Sequence, residues 1–173
     1  MAEMKGVTLI ELMISILLFA MLMTASAFAI NPVLLGWSSQ QDRMEIQRSV
    51  QDGVEKATRD LRLAGTLQND ANHAIRFTVR ESGVQNSYIF YLYNAADAWP
   101  PAYNQTTYQL YKASLTGGIN GTFTYGAGTL LIRNISPPPT SDLSVSGSTA
   151  TLDLTLSRGN ETFHLAKEIK KRN

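Results

Sequence analysis

From Val7 to Gly36 the only charged side chain is Glu11. A run of some 20 apolar residues at about 1.5 Å rise per residue is enough to cross a hydrocarbon core about 30 Å thick. The stretch is apolar on every face, so it cannot be the one-sided helix of an ordinary soluble domain. Lys5 precedes it and the next basic residue is Arg43, an asymmetry that favours a cytoplasmic amino terminus. A plain signal anchor is the simplest reading. A cleaved signal peptide is the second, because Ala25-Ser26-Ala27 and Ala27-Phe28-Ala29 supply A-x-A-like sites. Against cleavage there, the apolar run exceeds the usual 7–15 residues and contains a carboxylate that a signal core does not need.

That carboxylate is informative. A charge at the bilayer centre costs roughly 2.5–3.5 kcal/mol, and less toward the interface. Glu11 has no cation at i+3 or i+4, where Ile14 and Ser15 stand. Its partner must come from another chain, from the interface, or from a newly made amino terminus; at headgroup depth it needs none.

Met4-Lys5-Gly6-Val7-Thr8-Leu9-Ile10-Glu11-Leu12 resembles the leader and mature start of type IV prepilins and of the pseudopilins of type II secretion. The resemblance implies cleavage by a prepilin peptidase between Gly6 and Val7, with Lys5 closing the basic leader and Val7 becoming N-methylated. Val7 departs from the Phe or Met more common there. The resemblance also implies that Glu11 neutralises the α-amine of a neighbouring subunit during filament assembly. Such a pair penalises any register that leaves either charge unpaired. The family's tip-capping pseudopilins characteristically lack this carboxylate.

Asn31-Pro32 and Gly36 interrupt the apolar run, and proline removes a donor and crowds the preceding turn. A kink or local melting over Phe28–Asn31 is expected at Pro32 and Gly36; the alternatives are a simple end to the membrane helix and, by the resemblance, a kinked helix that continues. Helical periodicity returns over Ser38–Leu67, with apolar residues at Ile46, Val50, Val54, Ala57, Leu61, Ala64 and Leu67. One such stripe is a core-facing surface more often than a coiled-coil seam. Gly53 weakens the helix by about 1 kcal/mol relative to Ala, and Gly65 with Asn69-Asp70 marks its end. Asp60-Leu61-Arg62-Leu63-Ala64-Gly65 resembles a stretch after the stalk helix of W-type minor pilins and J-type pseudopilins.

Beyond residue 70 the period becomes alternating. Strands are expected over 74–80, 88–93, 106–112, 129–133 and 150–156, the last forming a hairpin with 161–167 through Ser157-Arg158-Gly159-Asn160. Each strand needs its apolar face covered, and the stripe from Ile46 to Leu67 is the nearest helical face. The expected fold is therefore α+β and pilin-like: a long amino-terminal helix, membrane-spanning in its first half and packed by its second half on an antiparallel sheet. The divisions are a leader over 1–6, a membrane or filament-core helix over 7–36, a stalk helix over 37–67 and a β-rich head over 68–173. Pro100-Pro101, Pro137-Pro138-Pro139 and Gly117–Gly128 read as loops.

Little else points to chemistry. His73 and His164 stand in unrelated segments without Cys, and Gly126-Ala127-Gly128 lacks the later Gly and Lys of a phosphate loop. The sequons at Asn104, Asn120, Asn134 and Asn160 read as polar loop and turn residues. With 15 Lys+Arg, 14 Asp+Glu and no cysteine, the chain has neither the charge of a dedicated nucleic-acid binder nor a disulfide framework. The ending Lys167–Asn173 is basic; it reads as a solvated terminus, with contact to DNA or an anionic surface left open, and resembles the W-type ending. Most tyrosines are expected in the sheet, a minority at a subunit contact. The sequence reads as a structural subunit without cofactor, and as a substrate of an enzyme rather than an enzyme. By the resemblance its partners are the prepilin peptidase, other pilin or pseudopilin subunits, the inner membrane and an inner-membrane assembly platform. The expected place is the bacterial inner membrane with a periplasmic head, then a pilus or pseudopilus. A signal-anchored periplasmic binding domain is the competing class.

Overall fold

The computed structural model describes residues 8–158 and 161–172, and their side chains apart from those of 31–43, 45–46, 158 and 161. The chain divides into two compact units, Met1–Ile46 and Gln47–Asn173. Helix α1 (Leu9–Arg62) provides the described part of the first and the opening of the second.

In the first unit, Leu9–Ile30 is long and apolar enough to cross a membrane, and its side chains are exposed. Its 22 residues span about 33 Å at the α-helical rise. The hydroxyls within it are satisfied locally. Ser15, Thr24 and Ser26 donate to the carbonyls of Glu11, Ala20 and Leu22 at 2.7, 2.7 and 2.8 Å. A polar side chain folded back on its own helix leaves no unmet donor for an apolar surrounding. The helix continues through Asn31-Pro32 and Gly36 rather than ending there.

The second unit is an antiparallel sheet on the last turns of α1. Its strands are β1 (Ala64–Asp70), β2 (Ala74–Glu81), β3 (Val84–Tyr93), β4 (Tyr108–Ser114), β5 (Thr129–Ile135), β6 (Asp142–Ser146), β7 (Thr149–Arg158) and β8 (Glu161–Lys170). Their order is β1-β2-β3-β4-β5-β7-β6, with β8 on the other side of β7. The layout, a long apolar helix followed by an antiparallel sheet, is the expected α+β arrangement.

Two elements differ from expectation. The helix stops at Arg62, and Ala64–Asp70, of which 64–67 were expected to be helical, form the edge strand β1 against β2. Gly65 is a poor helix former and Thr66 is β-branched, so seven residues of ladder outweigh another helical turn. Ala64 and Leu67 still reach the core, which is why they continued the apolar stripe. The second difference is β6, a five-residue alternating strand with only Leu143 and Val145 as apolar residues. β5 and β6 share one edge of β7: Ile135 faces Leu156, and Asp142–Ser146 face Asp153–Thr149. Between them Pro137-Pro138-Pro139 cannot donate to a ladder. There Ser141 Oγ accepts from the Thr155 amide at 2.9 Å in place of a main-chain partner. The remaining strands overlap the expected ones, with β3 beginning earlier, β4 displaced from 106–112 to Tyr108–Ser114 and β8 running on to Lys170.

The main core joins Val54, Ala57 and Leu61 of α1 to Ile75, Phe77, Phe90, Leu92, Leu110, Ile132 and the inner leucines of β7. Each such side chain removed from water contributes roughly 1.5–3 kcal/mol. Gly53 permits the approach. A Cβ there would stand 2.4 Å from the Leu131 carbonyl oxygen and 2.5 Å from Ile132 Cγ1. The helical cost of this glycine is thus offset by contact between helix and strand.

The opposite sheet face has its own aromatic cluster. Ile89 and Tyr91 point there while Phe90 and Leu92 point to the main core, as strand alternation requires. Trp99 and Phe123, from the 94–107 and 115–128 loops, pack on Tyr91 with ring centroids 6.0 and 4.8 Å away. The Tyr91 hydroxyl donates to the Ala127 carbonyl at 2.8 Å and accepts from the Gly126 amide at 3.1 Å. These loops therefore roof the sheet.

Candidate functional site

The candidate residues Lys5, Gly6 and Val7 lie outside the described residues, and description begins at Thr8. Thr8 and Glu11 form a reciprocal cap. The Thr8 amide and hydroxyl each donate to Glu11 Oε2 at 3.0 Å, and the Glu11 amide lies 3.4 Å from Thr8 Oγ1 as donor. Leu12 N–H donates to the Thr8 carbonyl at 3.2 Å, beginning the helical ladder. This is the capping box S/T-x-x-E, in which two orphan amides of a helix start are satisfied together.

Toward the carboxyl end Glu11 has no cation within one helical turn, since Ile14 and Ser15 stand there. The partner in this structure is a hydroxyl and an amide three residues earlier. Thr8-x-x-Glu11 was the available signal. A carboxylate at a helix amino terminus also meets the positive end of the helix dipole. One carboxylate oxygen, Oε2, takes both Thr8 bonds, and Oε1 takes no bond from Thr8. The geometry thus has room for a second donor, such as an ammonium group.

Around this start the surface is apolar throughout. Leu9, Ile10, Leu12, Met13 and Ile14 are all more than half exposed. Leu17, Ala20, Met21, Thr24, Ala25 and Phe28 line one shallow apolar groove farther along. An exposed apolar surface of this extent needs lipid or other apolar helices around it. Pro32 and Gly36 lie within α1, and their side chains are outside the described set.

In the second unit the sequence candidates for chemistry take structural positions. His73, at φ 50° in the β1–β2 turn, places Nδ1 2.6 Å from Asp142 Oδ1. His164 Nε2 lies 2.7 Å from Asp153 Oδ1 across the β7–β8 pair. The first link spans 69 residues, so no local spacing could announce it. The tyrosines fill both faces of the sheet. Burial pushes Tyr91 and Tyr108 up to about 12 and raises Tyr103 and Tyr125 as well, keeping their hydroxyls protonated as donors.

The basic ending is ordered into the fold. Lys167 and Lys170 belong to β8, Arg172 donates its amide to the Arg62 carbonyl at 2.9 Å, and Lys171 Nζ donates to the Gly65 carbonyl at 3.0 Å. The main chain of 167–172 is thus part of the fold, while Lys170 and Arg172 keep their side chains exposed to solvent, as the reading of a solvated basic ending expects. Pairing with β7 and capping of the α1 carboxyl end hold it in place.

The layout is an apolar, self-capped helix that is long enough to cross a membrane and carries one carboxylate, followed by a β-rich head. Residues 1–27 match the family model of the prokaryotic N-terminal methylation motif. Over that segment the chain is similar to the amino-terminal region of type IV prepilins and pseudopilins. A motif of this type implies processing by a prepilin peptidase and association with other pilin subunits. No curated protein and no solved structure matches the chain.

Proposed function

We infer that this protein is a minor pilin-like structural subunit of a type IV pilus, incorporated into the filament or priming its assembly after cleavage between Gly6 and Val7. The observation that carries the reading is the methylation motif over residues 1–27 in register with the 22-residue apolar helix Leu9–Ile30. The resemblance of Asp60–Gly65 to W-type minor pilins and J-type pseudopilins supports a minor subunit, as does the absence of cysteine, since many major pilins close a carboxyl-terminal loop by disulfide. The chain is a substrate of the peptidase and has no catalytic role of its own.

Assembly follows from elementary electrostatics. Cleavage creates an α-amine at Val7, three residues upstream of Ile10 and four from Glu11. Inside an apolar bundle a lone ammonium or carboxylate is penalised, and one that finds its opposite is not. Glu11, already oriented by Thr8 through Oε2, offers Oε1 to the amine of an adjacent subunit. The membrane holds the subunit, amino terminus cytoplasmic and head periplasmic, until that exchange of lipid for neighbouring helices.

Mass spectrometry of the amino-terminal peptide of the mature protein tests this reading. An N-methylated Val7 start supports it. A start at Phe28 or Ile30 means a conventional signal peptide, an intact Met1 means an anchor, and either one overturns it. Loss of pili on deletion of the gene, with secretion intact, separates the pilus role from the pseudopilus role.

A further inference from the structure

The carboxyl end of α1 and the end of β8 enclose an open cleft of about 470 Å³. Arg59 and Arg62 line it from the helix, Lys170 and Arg172 from the other side, and Glu55 is the one acid in the lining. Four cations against one carboxylate leave three positive charges facing a shared space. Among the described residues, Arg62, Lys170 and Arg172 form no ion pair, and Arg59 reaches Asp60 only at 4.0 Å. The close partner of Asp60 is Lys112, at 2.7 Å.

Cations at a helix carboxyl end commonly balance the helix dipole. That dipole is worth only about half a charge, and the Arg62 carbonyl is already occupied by the Arg172 amide. Most of the positive charge is therefore unspent. Thr58 lines the same cleft and is 6% exposed, and its Oγ1 is a buried polar atom without a hydrogen-bond partner. Unpartnered buried hydroxyls are rare, because each forfeits its bonds to water. Leu63, 55% exposed, completes the rim.

We propose that this cleft binds a phosphate-class oxyanion carrying at least two negative charges. A single carboxylate would leave two cations uncompensated, whereas a diphosphate or longer matches the count. Guanidinium forks also present paired donors that fit phosphate oxygens. The three arginines and Lys170 supply the charge. This holds whether or not the chain enters a filament, since it uses only the second unit.

The test is calorimetric titration of the full mature chain, in nonionic detergent at physiological ionic strength, with inorganic tripolyphosphate. Saturable binding is expected, weakened at least about tenfold by the double variant R62A/R172A and less than about twofold by K167A, which removes a charge outside the cleft. The main-chain bond between Arg172 and Arg62 survives these side-chain changes. Absence of saturable binding overturns the proposal, as does equal weakening by K167A. Should the double variant fail to fold, Arg59→Gln decides: that side chain is 71% exposed, so the fold keeps its melting temperature. A loss of affinity of about threefold then supports the site, and unchanged affinity overturns it. A short DNA duplex in place of tripolyphosphate separates the sources. Tighter binding displaced by tripolyphosphate assigns the oxyanion to a nucleic-acid backbone, and no binding assigns it to a free oligophosphate.

Discussion

Lys112 Nζ stands 2.7 Å from Asp60 Oδ2 and 4.1 Å from the centroid of the Tyr88 ring. One side chain on β4 thereby ties the last turns of α1 to the sheet by a charge pair and by a cation–π contact. Both members of the pair are about four-fifths buried, with side-chain exposures of 20% and 17%. That places the pair between an exposed bridge, worth almost nothing, and a fully buried one, whose breaking is costly. Lys112→Met keeps the stem over Tyr88 and strands Asp60, so it should destabilise by about 1–3 kcal/mol. Denaturant titration of Lys112→Met, Asp60→Asn and the double variant checks this. Additive losses would mean that the two groups do not interact.

At Gly53, helix propensity and packing predict opposite signs. Propensity alone makes Gly53→Ala stabilising by about 1 kcal/mol. The added Cβ would meet the Leu131 carbonyl oxygen at 2.4 Å, a separation that requires backbone movement. Overpacking of this kind costs about 1–3 kcal/mol, so the variant should be less stable than wild type. A raised thermal midpoint would show that helix and β5 part easily.

Arg76 fastens the loop after β4. Its Nε donates to Asp70 Oδ2 at 2.7 Å, and one terminal nitrogen donates to the carbonyls of Ile119 and Gly121 at 3.2 and 2.8 Å. Both partners of the ion pair are largely buried. Arg76→Ala should cost about 2 kcal/mol and speed amide exchange over 117–122 more than elsewhere. Uniform acceleration across the head would count against a local clamp.

The cap that Glu11 forms with Thr8 and its proposed role in assembly are separable. Glu11→Gln preserves a capping-box side chain while removing the charge. Processing should continue in Glu11→Gln and in Glu11→Ala, and both should fail to enter filaments, as scored by immunoblots of sheared pili. Normal incorporation of Glu11→Gln would reduce the residue to a helix cap and defeat the amine pairing. Gly6→Val should block cleavage, seen as an uncut precursor.

Alkaline pH should loosen the head. Tyr91 and Tyr108 are raised by burial from the usual 10.0 to about 12. A raised folded-state value leaves their contribution to stability whole below pH 10, because both states are then protonated. Between pH 10 and about 12 the unfolded chain ionises first and that contribution is lost. Thermal midpoints measured from pH 8 to 12 should stay level and then fall. Phenylalanine at both positions should flatten the fall.

The amino-terminal half was legible because its constraints are local. Length and apolarity over Leu9–Ile30 require an apolar surrounding whatever follows. The strands β2, β5 and β7 were equally legible, since alternation with a period of two is imposed by the pleat itself. Ala64–Asp70 was not: its apolar residues satisfy a helical stripe and a strand equally, and only the presence of β2 beside it decides. β6 carries too few apolar residues to announce itself and exists because β7 offers an edge.

By itself, then, the sequence determined a membrane-compatible helix, a carboxylate at its start, and a sheet with its apolar face toward the later helix turns. The start of that helix also held its own cap, Thr8-x-x-Glu11, in plain view. Tertiary structure alone decided where the helix stops, which face of Tyr88–Tyr93 each ring fills, and which charges meet. Lys112 and Asp60 are 52 residues apart, and His73 and Asp142 are 69. Local spacing encodes backbone periodicity, because periodicity is a property of neighbouring dihedral angles. Meetings between distant side chains depend on sheet register and on close approaches such as that at Gly53, which no short stretch of sequence contains.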